Sequence, residues 1–190
     1  MPWLYPRTLN VVILVGLGFA FATSELRLDA WEALLPFFEW METTWLGAIG
    51  KTWGAAFAVV EAFHLLGMAL LGGAVLVGDG RLLGLCFTDI PQRWVQDQVY
   101  KVFKIGLIVL LLTGVFMACA VAVKIYYLPV YWYKMLALAT GILFALYIRR
   151  PLLAGDIEQM SPMVLRLVGL SSIMIWFTVA ATGRWIGFSG

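Results

Sequence analysis

TWGAAFAVVEAFHLLGMALLGGAVLV, residues 52–77, is the stretch of sequence that decides the fold. It is almost unbroken apolar sequence, and it is longer than the ~20 residues that a helix needs to cross a bilayer. Glu61 and His64 lie near its middle, and His64 is the only histidine of the chain. Ionisable groups at that depth are costly, so both are functional-site candidates. The segment predicts a transmembrane helix around which the rest of the chain is organised.

Composition indicates that lipid is the main solvent of this chain. Of its 190 residues, 63% are apolar and 13% are charged, and the mean hydropathy is +0.92. Soluble domains average about 45–50% apolar and about 25% charged residues. The net charge of +2 and the absence of a long basic run argue against nucleic acid as a partner. We expect residues 1–190 to form one membrane domain with the lipid bilayer as its partner.

The apolar pattern predicts an all-α integral membrane bundle of about five transmembrane helices plus one interfacial amphipathic helix. The predicted spans are residues 4–24, 52–77, 103–123, 132–148 and 162–186. Ala20 and Ala22 resemble a signal-peptide cleavage site, but we expect the first segment to be kept as an N-terminal anchor. Residues 28–47 repeat large apolar residues at spacings of three and four among acidic ones. That pattern predicts a helix lying on the outer membrane surface.

The distribution of basic residues predicts the orientation of the spans. Eight of the 13 Lys and Arg residues lie before span one, between spans two and three, or between spans four and five. Basic residues favour the cytoplasmic side. We therefore expect a cytoplasmic N-terminus and a C-terminus on the periplasmic or exterior side of the membrane. Cys86 and Cys119 then lie toward opposite sides and are predicted to be free.

A polar cluster is predicted toward the outer end of the central helix. Residues three and four apart share a helix face, so Glu61, His64 and Met68 are predicted neighbours. Lys134 and Arg184 open and close later spans at the same side, and their long side chains can reach inward. We expect Glu61, His64, Lys134 and Arg184 to form a cluster that opens to the exterior, because an unpaired carboxylate in lipid is costly.

Two further patterns concern the inner half of the central helix. Asp79 and Arg81 mark its inner end and are predicted to form a capping ion pair. Gly67, Gly72 and Gly73 are predicted to let another helix approach closely, which favours tight packing over a cofactor cavity along that face.

Three uses of His64 remain open from the residues alone. It can ligate a haem, a chlorin or, with Met68 as a soft second ligand, copper. It can form a proton or ion relay with Glu61, as in a small transporter. It can also be a hydrogen-bonding group that fixes helix packing. A bis-histidine haem is excluded within one chain, and no cofactor is identified by a motif.

Several short motifs, taken in order, resemble those of an uncharacterised family of small bacterial inner-membrane proteins. They are Glu61-x-x-His64-Leu65-Leu66-Gly67, Asp79-x-Arg81-Leu82-Leu83-Gly84, Tyr133-Lys134, and the ending Gly183-Arg184-Trp185-Ile186. The resemblance spans about residues 40–188, and Gly80 stands where leucine is usual. The family is also similar in layout to the membrane domain of CopD-type copper-resistance proteins. The resemblance implies a helical bundle in the bacterial inner membrane, and no established activity.

The sequence favours a non-catalytic protein, since it contains no nucleophile-and-base arrangement, phosphate-binding loop or zinc-protease motif. We expect an integral subunit of a larger bacterial membrane complex concerned with electron transfer, photosynthetic or respiratory, with other membrane subunits as partners. The alternatives are a cofactor protein that uses His64 and Met68, and a small transporter or proton relay that uses Glu61 and His64.

Overall fold

A computed structural model of the chain describes residues 4–189, with side-chain detail from residue 8 onward. The Arg7 side chain, which contributes to the predicted charge bias, lies outside the described side chains. All regular structure in the described range is helical. The elements are α1 (Leu4–Thr23), α2 (Leu26–Thr43), α3 (Trp45–Thr52), α4 (Gly54–Leu83), α5 (Gln92–Ala120), α6 (Ala122–Tyr126), α7 (Pro129–Leu143), a π-helical turn (Phe144–Arg149), α8 (Arg150–Leu153), a 3₁₀ turn (Ile157–Gln159) and α9 (Pro162–Ile186).

Four helical segments are long and apolar enough to cross a membrane. They are Gly54–Leu83, Gln92–Ala120, Pro129–Leu153 and Pro162–Ile186, with window hydropathies of 1.9, 2.4, 1.5 and 1.8. Thr8–Thr23 and Leu26–Thr43 meet the same test only as one broken span, and the bend between them is 88°. The prediction of a multi-pass, all-α membrane protein is confirmed, with four spans or up to five.

The predicted surface helix over residues 28–47 is two helices. Thr44 has an extended backbone with ψ of 158°, and its hydroxyl accepts a hydrogen bond from the Gly47 N–H. A threonine in this conformation is a favourable helix N-cap, so α2 ends before it and α3 starts after it. The amphipathic pattern alone could not show the break, because apolar residues continue at helical spacing through Trp45 and Leu46.

The four spans are joined by close packing at small residues. α4 packs along α5 and α9, and α7 packs along α9. A Cβ added to Gly106 of α5 would lie 2.9 Å from the Leu71 backbone nitrogen and 3.1 Å from the Gly67 carbonyl oxygen. A Cβ added to Gly141 of α7 would lie 3.2 Å from the Trp176 ring. The glycines therefore set how closely the helix axes approach, as is typical of membrane bundles.

We expect Gly106→Ala to destabilise the bundle by about 1–3 kcal/mol, because the new methyl meets backbone that cannot rotate away. Unfolding of the purified protein by SDS in mixed micelles measures the change. Gly73→Ala is the matched control, since a Cβ at Gly73 meets nothing within 4 Å. Equal unfolding midpoints for the two variants would contradict the close-packing account.

A cap formed by α2, α3 and α6 covers the end of the bundle at which α4 and α7 begin, which we call the outer end, and a buried aromatic cluster holds it. The Tyr126 hydroxyl donates to the Trp31 carbonyl at 2.6 Å, and the Trp132 indole N–H donates to the Tyr126 carbonyl at 2.9 Å. Phe38 packs against Tyr126 and Trp132 with ring centroids 5.3 and 5.6 Å apart. These contacts fix α2 across α6 and the start of α7.

Glu42 joins three elements of this cap. One carboxylate oxygen accepts the Val123 N–H of α6 at 2.8 Å, and the other pairs with the Lys51 ammonium of α3. Burial works to raise the pKa of the Glu42 carboxyl, but the Lys51 ammonium and the Val123 N–H outweigh it and hold the pKa below its ordinary value. The ionised form is therefore the one that stabilises the cap.

We expect the stability advantage of the wild type over Glu42→Gln to be present at neutral pH and lost on acidification. A carboxyl whose folded pKa is depressed contributes stability above its unfolded value of about 4.3 and loses it as pH falls through the folded pKa. Unfolding midpoints of both proteins from about pH 7 to about pH 3 test this. If the difference between the two unfolding midpoints stays constant over that pH range, the stabilising role of the ionised Glu42 is contradicted.

Candidate functional site

A cavity of about 620 Å³ lies between the middle of α4 and the outer halves of α5, α7 and α9. Phe37, Phe38 and Met41 of α2 lie across its outer end. Its deeper wall includes Leu71, Val75 and Trp176, which belong to the buried core. Protein sites for cofactors and other small molecules commonly have volumes of about 300–1,000 Å³ and mostly apolar walls. The size and lining of this cavity place it in that range.

Few polar side chains line the cavity. In the described part of the chain, the ionisable lining residues are His64 of α4 and Tyr131 and Lys134 of α7. Met41, Met68 and Met135 also line it. Within residues 4–189 no three Cys, His, Asp or Glu side chains come together as a metal site. The cavity thus offers a single imidazole, one ammonium, one phenol and three thioethers in otherwise almost wholly hydrocarbon surroundings.

The His64 imidazole is held by a chain of two short hydrogen bonds. Its Nδ1 lies 2.7 Å from the Thr113 hydroxyl of α5, and that hydroxyl lies 2.6 Å from the Val109 carbonyl oxygen. Two oxygens at that distance need a hydrogen between them, so the hydroxyl donates its single proton to Val109. It can then only accept from His64, which must carry its proton on Nδ1.

The consequence of this arrangement is a free lone pair on the other ring nitrogen. With Nδ1 protonated, the neutral imidazole has an unprotonated Nε2. Nε2 forms no hydrogen bond with any described residue, and His64 lines the cavity. Histidines that ligate metals usually donate their second ring N–H to a protein oxygen, which fixes the tautomer and the ring orientation. His64 therefore has the arrangement that metal-ligating histidines usually show.

The four residues predicted to cluster do not all come together. His64 and Lys134 line the same cavity. Glu61 is exposed and makes no ion pair or hydrogen bond among the described side chains, and Arg184 is exposed with its guanidinium 4.6 Å from the Phe188 ring centroid. The predicted cluster is wrong in these two members. On α9 it is Gly183 that faces the cavity, so the next residue, Arg184, points away from it.

The prediction of close packing in place of a cavity is correct for Gly67 and wrong for Gly72 and Gly73, since a Cβ at Gly73 also meets nothing within 4 Å. Gly67 lies against α5, where an added Cβ would be 3.0 Å from Val109. Gly72 lines the cavity, and a Cβ there would meet nothing within 4 Å. Successive glycines of one helix face different directions, so a glycine-rich segment does not by itself distinguish a contact from an open space.

The ion pair predicted between Asp79 and Arg81 is also wrong. Asp79 is fully buried, and its Oδ1 accepts from Arg149 Nη2 at 2.8 Å and Nε at 3.1 Å. The Arg81 guanidinium instead donates to the Ile90 carbonyl at 2.9 Å, which holds the loop before α5. Residues two apart on a helix point in different directions, so Asp79 and Arg81 could not share a face.

Gln96 completes the network at the inner end of the bundle. Its side-chain oxygen accepts from Arg149 at 3.0 Å, and its side-chain nitrogen donates to the Gly78 carbonyl at 2.7 Å. Arg149 is the last residue of the π-helical turn after α7. The network therefore joins three spans and closes the inner end of the bundle, whereas the cavity lies closer to the outer end.

Cys86 and Cys119 are both free, as predicted. Cys119 is buried in α5 and Cys86 lies in the loop after α4, where its thiol donates to the Val77 carbonyl at 3.6 Å. Neither lines the cavity.

The sequence model of a family of unknown function, DUF6644, matches residues 37–189 of this chain. The chain belongs to this family. The prediction of membership in an uncharacterised family is confirmed. Because the matched region begins at Phe37, it contains the four spans and every residue that lines the cavity, whereas α1 lies before it. Comparison with curated proteins gives no match, and comparison with solved structures gives none either.

Proposed function

We propose that this chain is a non-catalytic integral membrane protein that holds a haem or chlorin in the outer cavity, with His64 as the axial ligand. The observation that supports the proposal is the Nδ1–H tautomer imposed by Thr113, which leaves the Nε2 lone pair of His64 free beside the cavity. One axial histidine is enough for a five-coordinate haem or chlorin. When bound, such a group would supply electron-transfer or light-absorbing chemistry that the side chains lack.

The volume and the lining of the cavity favour a large planar ligand over a copper ion. Thioethers and imidazole are suitable ligands for Cu(I), and Met68 lies one turn from His64. A single ion, however, would leave most of the roughly 620 Å³ unfilled. The aromatic walls formed by Phe38, Trp176 and Phe177 suit the flat apolar faces of a tetrapyrrole.

An absorption titration of the purified protein with haem tests this function. We expect a Soret band that saturates at one equivalent, disappears in His64→Ala, and returns when imidazole is added to that variant. Met68→Leu is the matched control, because it changes another lining residue of α4 and keeps the axial ligand. The proposal fails if His64→Ala gives the wild-type spectrum, or if the wild type shows no saturable band.

The proposal includes the setting of the protein in the cell. The resemblance of its motifs to those of small bacterial inner-membrane proteins supports a location in the bacterial inner membrane. The bias of basic residues supports a cytoplasmic N-terminus and a periplasmic C-terminus. In that orientation the cavity lies closer to the periplasmic end of the bundle. The likeness in layout to CopD-type membrane domains supports a metal-related role only by association.

We further propose that the chain acts as a subunit of a larger electron-transfer complex. Glu61 supports this, since it is exposed on a helix face beside Leu65, one turn further along α4, whose side chain is 54% exposed. It lies about 10 Å along α4 from the outer end. A carboxylate facing hydrocarbon is costly, and a basic side chain of a neighbouring subunit would offset that cost.

Purification from native membranes in a mild detergent tests the subunit proposal. We expect a partner protein to co-purify with the wild type and to be lost in Glu61→Leu. Glu39→Leu, at an exposed position of α2, is the control. A wild-type chain that runs as a stable monomer would contradict the proposal.

A further inference from the structure

Lys134 is a sheltered cation for which the described residues provide no counter-charge. The aliphatic chain of Lys134 passes over Gly183. A Cβ added to Gly183 would lie 3.4 Å from both Cε and Nζ of Lys134. Among the described side chains, none forms an ion pair or hydrogen bond with Nζ. Arg149, which is also partly buried, pairs with Asp79 at 2.8 Å. Lys134 thus differs from Arg149, whose charge is balanced by a carboxylate of the bundle.

The position of Lys134 indicates that a molecule bound in the cavity supplies the missing counter-charge. Its side chain lines the same cavity as His64, and the remaining walls are almost wholly apolar. A charged group away from water is costly unless it is paired and hydrogen-bonded. A molecule that brings an anionic oxygen group to Nζ would remove this cost while its apolar body fills the space toward Leu71 and Trp176.

We infer that the cavity takes an amphipathic anion, whose carboxylate or phosphate binds Lys134 Nζ and whose apolar part lies along the deeper wall. The inference rests on the proposed function where the ligand is a tetrapyrrole, whose propionate carboxylates would then be the bound group. An anionic phospholipid supplies the same chemistry through its phosphate. Both sources present an oxygen anion to a lysine ammonium, which binds such groups as a point charge.

Haem and haem dimethyl ester, in which both propionates are neutral, separate the contribution of the carboxylate. We expect the wild type to bind haem at least about 10-fold more tightly than the diester, and Lys134→Met to bind both equally. A factor of 10 corresponds to one charge-assisted contact of about 1.4 kcal/mol. Lys124→Met is the matched control, because Lys124 is an exposed lysine of α6 outside the cavity, and it should keep the wild-type preference.

Native mass spectrometry tests the lipid source in parallel. The wild type and both lysine variants are purified from vesicles that contain equal amounts of phosphatidylglycerol and phosphatidylcholine. Retention of phosphatidylglycerol by the wild type and by Lys124→Met, with loss in Lys134→Met, would assign the anionic group to a phospholipid.

The outcomes distinguish this inference from the proposed function. If haem does not bind in a His64-dependent way but phosphatidylglycerol retention depends on Lys134, the proposed function fails and the anion subsite stands. If haem binds through His64 with no preference over the diester, and lipid retention is the same in Lys134→Met, the subsite is overturned and the proposed function stands. Indifference to Lys134 in both experiments overturns the subsite in every case.

Discussion

Arg149→Met should destabilise the protein by about 3–5 kcal/mol, because it leaves a fully buried Asp79 carboxylate without its counter-charge. The guanidinium contributes two hydrogen bonds to Asp79 and one to Gln96, so its loss also leaves Gln96 without a donor to its side-chain oxygen. Unfolding by SDS in mixed micelles measures the change in free energy. The inner end of the bundle should open first.

Two further variants make this prediction specific. Arg150→Met removes the ion pair between Arg150 and Asp97, whose side chains are 39% and 48% exposed, respectively. The loss of this exposed pair should lower the free energy of unfolding by no more than about 1 kcal/mol. Adding Asp79→Asn to Arg149→Met should recover much of the lost stability, since no buried charge then remains unpaired. If Arg149→Met and Arg150→Met have similar midpoints, the buried network does not hold the spans together.

Thr113→Val should weaken haem binding by about 10- to 100-fold, which is the range found when the group that orients a metal-ligating histidine is removed. Valine has nearly the shape of threonine but cannot accept the His64 Nδ1–H, so the tautomer and the ring orientation are no longer fixed. The Soret band of the loaded protein should keep its position, because His64 is still present. The absorption titration measures both quantities.

Thr140→Val is the matched control for Thr113→Val. The Thr140 hydroxyl also bonds back to a helix carbonyl, that of Leu136 at 2.8 Å, but Thr140 does not line the cavity. We expect its haem affinity to equal that of the wild type. Equal affinities for all three proteins would contradict the role assigned to Thr113.

The spans could be predicted from the sequence because hydropathy depends on local composition. The ends of the helices could not be predicted as well, because there the cost of burying polar or charged side chains competes with the gain from packing. Asp79 and Arg81 indicated the end of the central helix, yet α4 continues to Leu83 because Asp79 is neutralised by a distant arginine. α5 begins at Gln92, and its first turns bury Val95 and Gln96 on one side. The sequence of these turns is too polar to be predicted as part of a transmembrane span.

The candidate site was predictable where it depends on one unusual residue and not where it depends on contacts between helices. His64 is conspicuous as the only histidine in an apolar helix. Thr113 is 49 positions away and bonds to it only because Gly67 and Gly106 bring α4 and α5 together. The helical register that turns Gly183 inward and Arg184 outward depends on how α9 packs. No pattern within α9 itself specifies it.

The most direct test of the ligating role of His64 is nitrogen NMR of protein labelled with ¹⁵N-histidine. Because the chain has one histidine, its two ring nitrogens give the only labelled signals and need no assignment to a residue. The account predicts a protonated Nδ1 and an unprotonated Nε2 in the ligand-free protein, and a shift of the Nε2 signal when diamagnetic zinc protoporphyrin is added. A protonated Nε2, or an Nε2 signal that zinc protoporphyrin does not move, would contradict it.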